Sequence, residues 1–108
     1  MQKIIKKLIS VIVCTYNRPQ LIYKLLESLF QQETDGSFNY EVLVVDNDPQ
    51  GRARDIILKF MPEFQDRLRY LLEPNRGKSS ALNTGILAVK GDIIASTDDD
   101  VIADTKWL

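Results

Sequence analysis

Uninterrupted apolar runs alternate along this chain with apolar residues at helical spacing. Leu8 to Thr15 form a continuous run rich in β-branched residues, which is typical of a strand buried on both faces. Asn17-Arg18-Pro19 follow, with a proline suited to the first helical position, and helically spaced apolar residues continue to about Gln32. The pattern therefore predicts a buried strand followed by an amphipathic helix.

The same alternation continues to residue 97. Further strands are predicted over three apolar runs: Tyr40 to Val45, Leu68 to Leu72 and Ile93 to Thr97. Helices are predicted from about residue 51 to 60, where Pro62 sets the limit, and over Lys78 to Val89, where Gly91 ends the helix. The resulting β-α-β-α-β-α-β order predicts an α/β fold with a mostly parallel sheet and right-handed crossovers.

Composition and charge limit the class of protein. Of the 108 residues, 44% are hydrophobic and 27% are charged, which excludes disordered and collagen-like classes and allows one compact domain. The net charge is -1 and no basic stripe is visible, so we expect no nucleic-acid partner. Because the chain has no histidine, its chemistry must use carboxylates, hydroxyls, amides, lysine or arginine.

Two features bear on the cellular compartment. Cys14 is the single cysteine and lies in an apolar run, which predicts a buried thiol and fits a reducing cytoplasm. The N-terminal sequence MQKIIKKLISVIVC superficially resembles a signal peptide, but its apolar run is broken by Ser10 and lacks a small-residue cleavage site. We therefore expect a basic lead-in to the first strand, a cytoplasmic protein and no membrane span.

Polar residues follow every predicted strand. In an open parallel sheet, ligands bind outside the carboxyl ends of the strands, and those ends share one rim. Taken singly, most of these clusters also have an ordinary explanation as a turn, a helix cap or a surface lysine. Together they predict a ligand site built from four segments: Thr15-Tyr16-Asn17-Arg18, Asp46-Asn47-Asp48, Asn75-Arg76-Gly77-Lys78 and Asp98-Asp99-Asp100.

The acidic triplet Asp98-Asp99-Asp100 has the most specific chemistry of the four. Adjacent carboxylates repel one another and cost stability unless a cation neutralises them. Ligation by clustered aspartate oxygens favours Mg²⁺ or Mn²⁺, with substrate phosphates completing the shell, and the spacing lacks the glycine and glutamate of an EF-hand. In an extended segment Asp98 and Asp100 point the same way and Asp99 the other. Either two carboxylates share one divalent cation, or one holds it while the other accepts from a sugar hydroxyl.

Three segments carry a family resemblance: VIVCTYNRPQLIYKLLESL, YEVLVVDND and NRGKSSALNTGILAVKGDIIASTDDDVIADTKWL. Together they resemble inverting family 2 glycosyltransferases of the GT-A fold, over nearly the whole chain. The most specific part runs from Asn75 to Leu108, where N-x-G, A-x-N-x-G, A-x-G-D and D-x-D occur in order. The resemblance implies a Rossmann-like, nucleotide-binding half and transfer of a sugar from a nucleoside-diphosphate sugar, a UDP-sugar, with metal-assisted departure of the diphosphate.

The resemblance also implies roles for single residues. Asp46 would accept a hydrogen bond from the base, Arg76 would lie beside it, and Asp100 would coordinate the divalent cation, Mg²⁺ or Mn²⁺. Asp98 would contact the ribose or the cation. The nucleotide site would be completed by eight further residues: Thr15, Tyr16, Asn17, Arg18, Gly77, Lys78, Ala81 and Asp99.

Two departures from the family pattern affect these expectations. The turn after the second strand is Asn47-Asp48-Pro49 where the family usually has Asp-Gly-Ser, so no role is assigned to Asp48. Complete domains of this type are longer than this chain. We therefore expect residues 1–108 to be a single domain, the N-terminal half of a longer glycosyltransferase domain. The general base and acceptor site would lie beyond Leu108, with no catalytic residue in this chain.

Two alternative functions remain open. One is a Mg²⁺-dependent nucleotidyl- or phosphotransferase, which would usually show a glycine-rich phosphate loop after the first strand; residues 15–19 contain no glycine. The other is a non-catalytic nucleotide-binding fragment. For such a fragment, apolar surface exposed by truncation predicts self-association into a homo-oligomer.

Overall fold

The computed structural model of the chain describes residues 7–108. Strands and helices alternate through this region in the following order: β1 (Lys7–Thr15), α1 (Pro19–Phe30), β2 (Phe38–Asp46), α2 (Arg54–Phe64), β3 (Leu68–Leu72), α3 (Lys78–Ala88) and β4 (Ile93–Asp98). A short 3₁₀ turn, Gln65–Arg67, joins α2 to β3. The basic lead-in that was predicted before the first strand lies outside the described residues, apart from Lys7.

The four strands form one sheet in the order β3-β2-β1-β4, and every neighbouring pair is parallel. The α/β prediction is therefore confirmed, and the described sheet is parallel throughout. At the carboxyl end, Cys14 lies beside Asp98 of β4 and Thr15 lies beside Asp46 of β2. This register brings the polar segments after β1, β2 and β4 to one edge of the sheet.

Helices cover both faces of the two central strands, which explains their uninterrupted apolar sequences. The side chains of Val11 and Val13 belong to a cluster with buried leucines of α1 and with Phe60 and Phe64 of α2. On the opposite face Ile12 packs with buried residues that include Ala81 of α3. Since β1 and β2 are buried on both faces, their apolar residues do not alternate with polar ones.

The second helix departs from the sequence prediction at both ends. It begins at Arg54 and continues to Phe64, so the expectation that Pro62 would limit it at about residue 60 is wrong. Pro62 lies in the last turn, where the missing N–H removes one hydrogen bond near the end of the helix. The Phe64 side chain is fully buried and packs edge-on against Phe30, at 5.4 Å between ring centroids. Burial of this ring offsets the cost of the proline.

The β4 strand forms one edge of the sheet and is the least buried strand. Ile93 and Ile94 are 45% and 44% exposed, and Ile86 and Leu87 of α3 are also exposed. Within residues 7–108, no strand pairs with the outer edge of β4. None of the helices in this described part of the chain is long and apolar enough to cross a membrane.

Candidate functional site

A cavity of about 530 Å³ opens at the carboxyl edge of the sheet, between the segment after β1 and the N-terminus of α3. The residues that line it include all the predicted site residues except Asn17 and Asp46. Two residues with no predicted role, Cys14 and Asn47, also line it. Parallel strands and the β1–β4 register therefore bring together side chains that are far apart in sequence.

The segment between β1 and α1 forms one wall of the cavity. Thr15 is buried at the end of β1, whereas Tyr16 and Arg18 are exposed beyond it. Between them Asn17 has a φ of 49°, in the left-handed region that asparagine tolerates better than most residues. Asn17 therefore turns the chain into α1, and its side chain does not line the cavity.

Asp99 is buried and bound to this same segment. One carboxylate oxygen accepts a hydrogen bond from the Thr15 hydroxyl at 2.8 Å, and the other accepts from Arg18 Nη1 at 3.2 Å. Asp98 and Asp100 on either side are exposed, although β4 ends at Asp98 and the next two residues form a turn rather than the predicted extended segment. The middle carboxylate thus fixes the acidic turn to the end of β1, while its neighbours remain accessible.

Lys78, the first residue of α3, supplies a cation to the acidic turn. Its Nζ lies 2.7 Å from an Asp98 carboxylate oxygen, and this hydrogen bond raises the pKa of Lys78. The two side chains remain 73% and 58% exposed. Because exposed ion pairs contribute little to stability, the contact leaves both groups available for other partners.

The exposed carboxylates suit a divalent cation that is shared with a ligand. Asp98 and Asp100 both line the cavity and offer hard oxygen donors of the kind that Mg²⁺ and Mn²⁺ prefer. Among residues 7–108, no three acidic or thiol side chains converge closely enough to hold a metal by themselves. The donor set therefore fits a cation whose shell is completed by phosphate oxygens and water rather than an all-protein cage.

Tyr16 and Arg76 give the cavity a planar wall. The Arg76 guanidinium carbon lies 4.7 Å from the centroid of the Tyr16 ring, within the distance of a cation–π contact. Tyr16 is 37% exposed, so part of its ring is open to a ligand. A planar ligand can therefore stack beside a fixed positive charge at this end of the cavity.

Asp46 lies behind the cavity wall and is fully buried. Its carboxylate accepts hydrogen bonds from Tyr70 Oη at 2.7 Å, the Asp48 N–H at 3.1 Å and the Ala53 N–H at 3.3 Å. Burial, together with the bond to Asp46, raises the pKa of Tyr70. These hydrogen bonds show that Asp46 stabilises the turn between β2 and α2. The predicted contact of Asp46 with a base stays a prediction.

Asn47 lies in one of the four segments that were predicted to build the site, but no role was predicted for it. Its side-chain amide donates to the carbonyl oxygens of Glu73 and Asn75, each at 2.8 Å, and its side-chain oxygen accepts from the Gly77 N–H at 3.0 Å. The asparagine thus holds the loop that carries Arg76. The available signal was its position directly after β2, at the edge of a parallel sheet where ligands bind.

Cys14 also lines the cavity, and it is half-buried rather than fully buried as predicted. It packs beside Ile12 and Ala81 near the end of β1, at the point where the cavity opens. Burial raises the pKa of its thiol, so the group is not prepared as a nucleophile.

The sequence model of the family glycosyl transferase family 2 matches residues 10–108 of this chain. The chain belongs to this family. It is 38% identical over 101 residues to the glycosyltransferase AglE of Haloferax volcanii, a match that spans 93% of this chain and 33% of AglE. It is also 30% identical over 101 residues to the human dolichyl-phosphate beta-glucosyltransferase, spanning 87% of this chain and 31% of that protein.

Solved structures agree with the family 2 assignment and with the Rossmann-like GT-A prediction. S. aureus TarS 1-349 in complex with UDP superposes with a TM-score of 0.80 at 26% identity, over 94% of this chain and 29% of that 1-349 chain. The mannosyltransferase PcManGT of Pyrobaculum calidifontis, in complex with GDP-Man and Mn²⁺, gives 0.72 at 32% identity, over 89% and 28%. The family 2 chain thus corresponds to the N-terminal part of the fold and spans about a third of the length of these curated relatives.

Proposed function

We propose that this family 2 chain supplies the donor site of a glycosyltransferase, which transfers a sugar from a nucleoside-diphosphate sugar to an acceptor. One observation carries the proposal: the cavity has an aromatic–arginine wall and two accessible carboxylates, Asp98 and Asp100. A nucleoside diphosphate has the same two parts, a planar base and a charged diphosphate. The neighbours TarS and PcManGT, which were solved with UDP and GDP-Man, support this class of ligand.

The base would lie against the segment after β1. Tyr16 offers a partly open ring and Arg76 a positive charge at its face, so stacking and cation–π contacts can both contribute. We propose uracil as the base and Asp46 as one of its hydrogen-bond partners. Because Asp46 is buried, that contact requires its carboxylate to exchange a present partner, such as the Tyr70 hydroxyl, for the base.

The diphosphate would lie nearer to the acidic turn. Asp100 would hold Mg²⁺ or Mn²⁺, and Asp98 would hold the same cation or the ribose. A bound cation would offset the repulsion between carboxylates and diphosphate and stabilise the diphosphate as a leaving group. Gly77, Lys78 and Ala81 line the same cavity, so they would contact the donor from the α3 side.

We further propose that residues 1–108 act as a single donor-binding domain of a longer transferase. The short coverage of the curated relatives supports this arrangement. No general base is assigned in this chain, and inversion at the anomeric carbon would require a carboxylate elsewhere to deprotonate the acceptor.

Calorimetric titration with UDP, GDP and ADP, each with and without Mn²⁺, tests the proposal. We expect UDP to bind most tightly and to need Mn²⁺. Asp100→Asn should abolish the Mn²⁺ requirement along with tight binding, whereas Asp66→Asn, an exposed residue far from the cavity, should bind like the wild type. Equal binding of all three nucleotides would contradict the assignment of uracil as the base. Tight UDP binding without metal would contradict the proposed role of the divalent cation.

A further inference from the structure

Two cations contact the acidic turn, and they differ in how firmly they are held. Arg18 pairs with Asp99, whose side chain is 7% exposed and also receives the Thr15 hydroxyl. Lys78 pairs with Asp98 through a single contact between exposed side chains. The first pair is part of the framework, because Asp99 has two donors in a buried position. The second can open at little cost in stability.

Of the two roles proposed for Asp98, the position of Lys78 bears on that of cation ligand, because its ammonium group occupies the Asp98 carboxylate. An ammonium group that hydrogen-bonds Asp98 would lie within a few ångströms of a cation on the same carboxylate. Like charges at that separation repel even in water, and the repulsion doubles when one of them is divalent. Lys78 and a divalent cation therefore compete for Asp98.

We propose that Lys78 occupies Asp98 when no donor is present and leaves it for the diphosphate when the cation binds. This inference rests on the proposed function and adds to it an order of events within the site. The lysine stem is flexible and 73% exposed, so its ammonium group can reach a new partner. The ammonium group exchanges the Asp98 carboxylate for the diphosphate, so it is paired with an anion in both states.

The start of α3 gives the diphosphate a favourable position beside Lys78. No side chain caps this N-terminus, and its first turn contains no acidic residue. The positive end of the helix and the lysine therefore face the same part of the cavity, where an anion is stabilised. Because of this exchange, the cation alone binds weakly, whereas the cation together with the diphosphate binds tightly. Each ligand therefore raises the affinity of the site for the other.

Titration with Mn²⁺ alone, followed by the electron paramagnetic resonance of free Mn²⁺, tests the competition directly. Lys78→Gln should bind Mn²⁺ about threefold to tenfold more tightly than the wild type, because a repelling charge is removed. The control Lys90→Gln removes the same charge from an exposed position after α3, at the other end of that helix. It should change the affinity less than about twofold. Unchanged or weaker Mn²⁺ binding in Lys78→Gln would overturn the proposal.

The same titration at saturating UDP tests the exchange. UDP should raise the Mn²⁺ affinity of the wild type strongly and that of Lys78→Gln less, because the variant has neither the competing charge nor the phosphate partner. An equal enhancement in both proteins would also overturn the proposal. If the wild type binds neither ligand, the proposed donor site itself fails. If the wild type binds both and Lys78→Gln matches Lys90→Gln, only the exchange fails.

Discussion

The Thr15 hydroxyl donates a hydrogen bond of 2.8 Å to the carboxylate of Asp99, which joins the ends of β1 and β4. These residues are 84 positions apart in the chain and both are buried. The bond holds the acidic turn against the segment that carries Tyr16 and Arg18. This bond therefore connects the two halves of the candidate site, which we propose bind the base and the diphosphate.

Replacing Thr15 by valine should remove the bond between these halves with little change in the shape of the side chain. We expect Thr15→Val to lower the free energy of unfolding by about 1–2 kcal/mol, because a buried carboxylate loses a donor. It should also weaken binding of UDP with Mn²⁺. Urea denaturation and calorimetry measure the two effects. Thr97→Val is the control, since the Thr97 hydroxyl donates to the adjacent Asp98 carbonyl. Equal losses in both variants would contradict the connection.

The open face of Tyr16 leads to a prediction about the base. Tyr16→Ala should reduce the affinity for UDP with Mn²⁺ about fivefold to a hundredfold, the range expected when one aromatic stacking partner of a base is lost. Tyr16→Phe keeps the ring and should bind like the wild type. Calorimetry measures both. A loss in Tyr16→Phe as large as in Tyr16→Ala would show that the hydroxyl, not the ring, makes the contact.

The sequence was sufficient to predict the sheet and the edge at which the cavity opens. Apolar runs such as Leu8 to Thr15 are the direct result of burial on both faces, so they identified the strands to within two residues. Parallel strands then place their carboxyl ends together, and this topological rule located the cavity without any coordinates.

The side-chain partners within the site could not be read from the sequence. Lys78 is 20 positions from Asp98, and no local pattern links them before the fold is known. The same applies to Asn47, which hydrogen-bonds the backbone of the loop after β3 on both sides of Arg76. Local rules also failed at Pro62, because the gain from burying Phe64 is a tertiary effect that helix propensity does not include.

Gly85 lies in α3 where the helix packs on β1 and β2. A Cβ at this position would lie 2.7 Å from Ile12 Cγ2 and 3.3 Å from Val45 Cγ2. Alanine usually stabilises a helix interior relative to glycine by about 1 kcal/mol, but overpacking costs about 1–3 kcal/mol. We expect the clash to dominate, so Gly85→Ala should lower the midpoint of urea denaturation. The exposed Asn83→Ala on the same helix should raise it slightly, and a rise in both would show that α3 can shift outward.

The outer edge of β4 supports the prediction that the chain self-associates. Its backbone has no strand partner within residues 7–108, and Ile93 and Ile94 expose apolar surface beside it. Two copies can pair such edges about a two-fold axis, which makes the same surface complementary to itself. We expect dimers by light scattering, and monomers for Ile94→Lys. Leu58→Lys, on the exposed side of α2, should remain dimeric. A monomeric wild type at all concentrations would contradict the prediction.

The contacts of Glu41 predict how the free energy of unfolding depends on pH. Burial opposes its ionisation, but the Ser10 hydroxyl, the Lys90 N–H and Arg69 together outweigh burial and lower the pKa from its ordinary value of 4.5. The ionised carboxylate therefore stabilises the fold above that pH, and this contribution is lost as the pH falls through the lowered pKa.

The variant Glu41→Gln should therefore be less stable at neutral pH by about 1–3 kcal/mol, since Arg69 and two neutral donors lose a charged acceptor. Its deficit relative to the wild type should shrink as the pH is lowered from about 7 to about 3, because the wild type then loses the same charge. Urea denaturation across this range measures the difference. Glu27→Gln, at an exposed position of α1, is the control and should follow the wild type at every pH. A constant deficit for Glu41→Gln would mean that its charge contributes nothing and that only its shape matters.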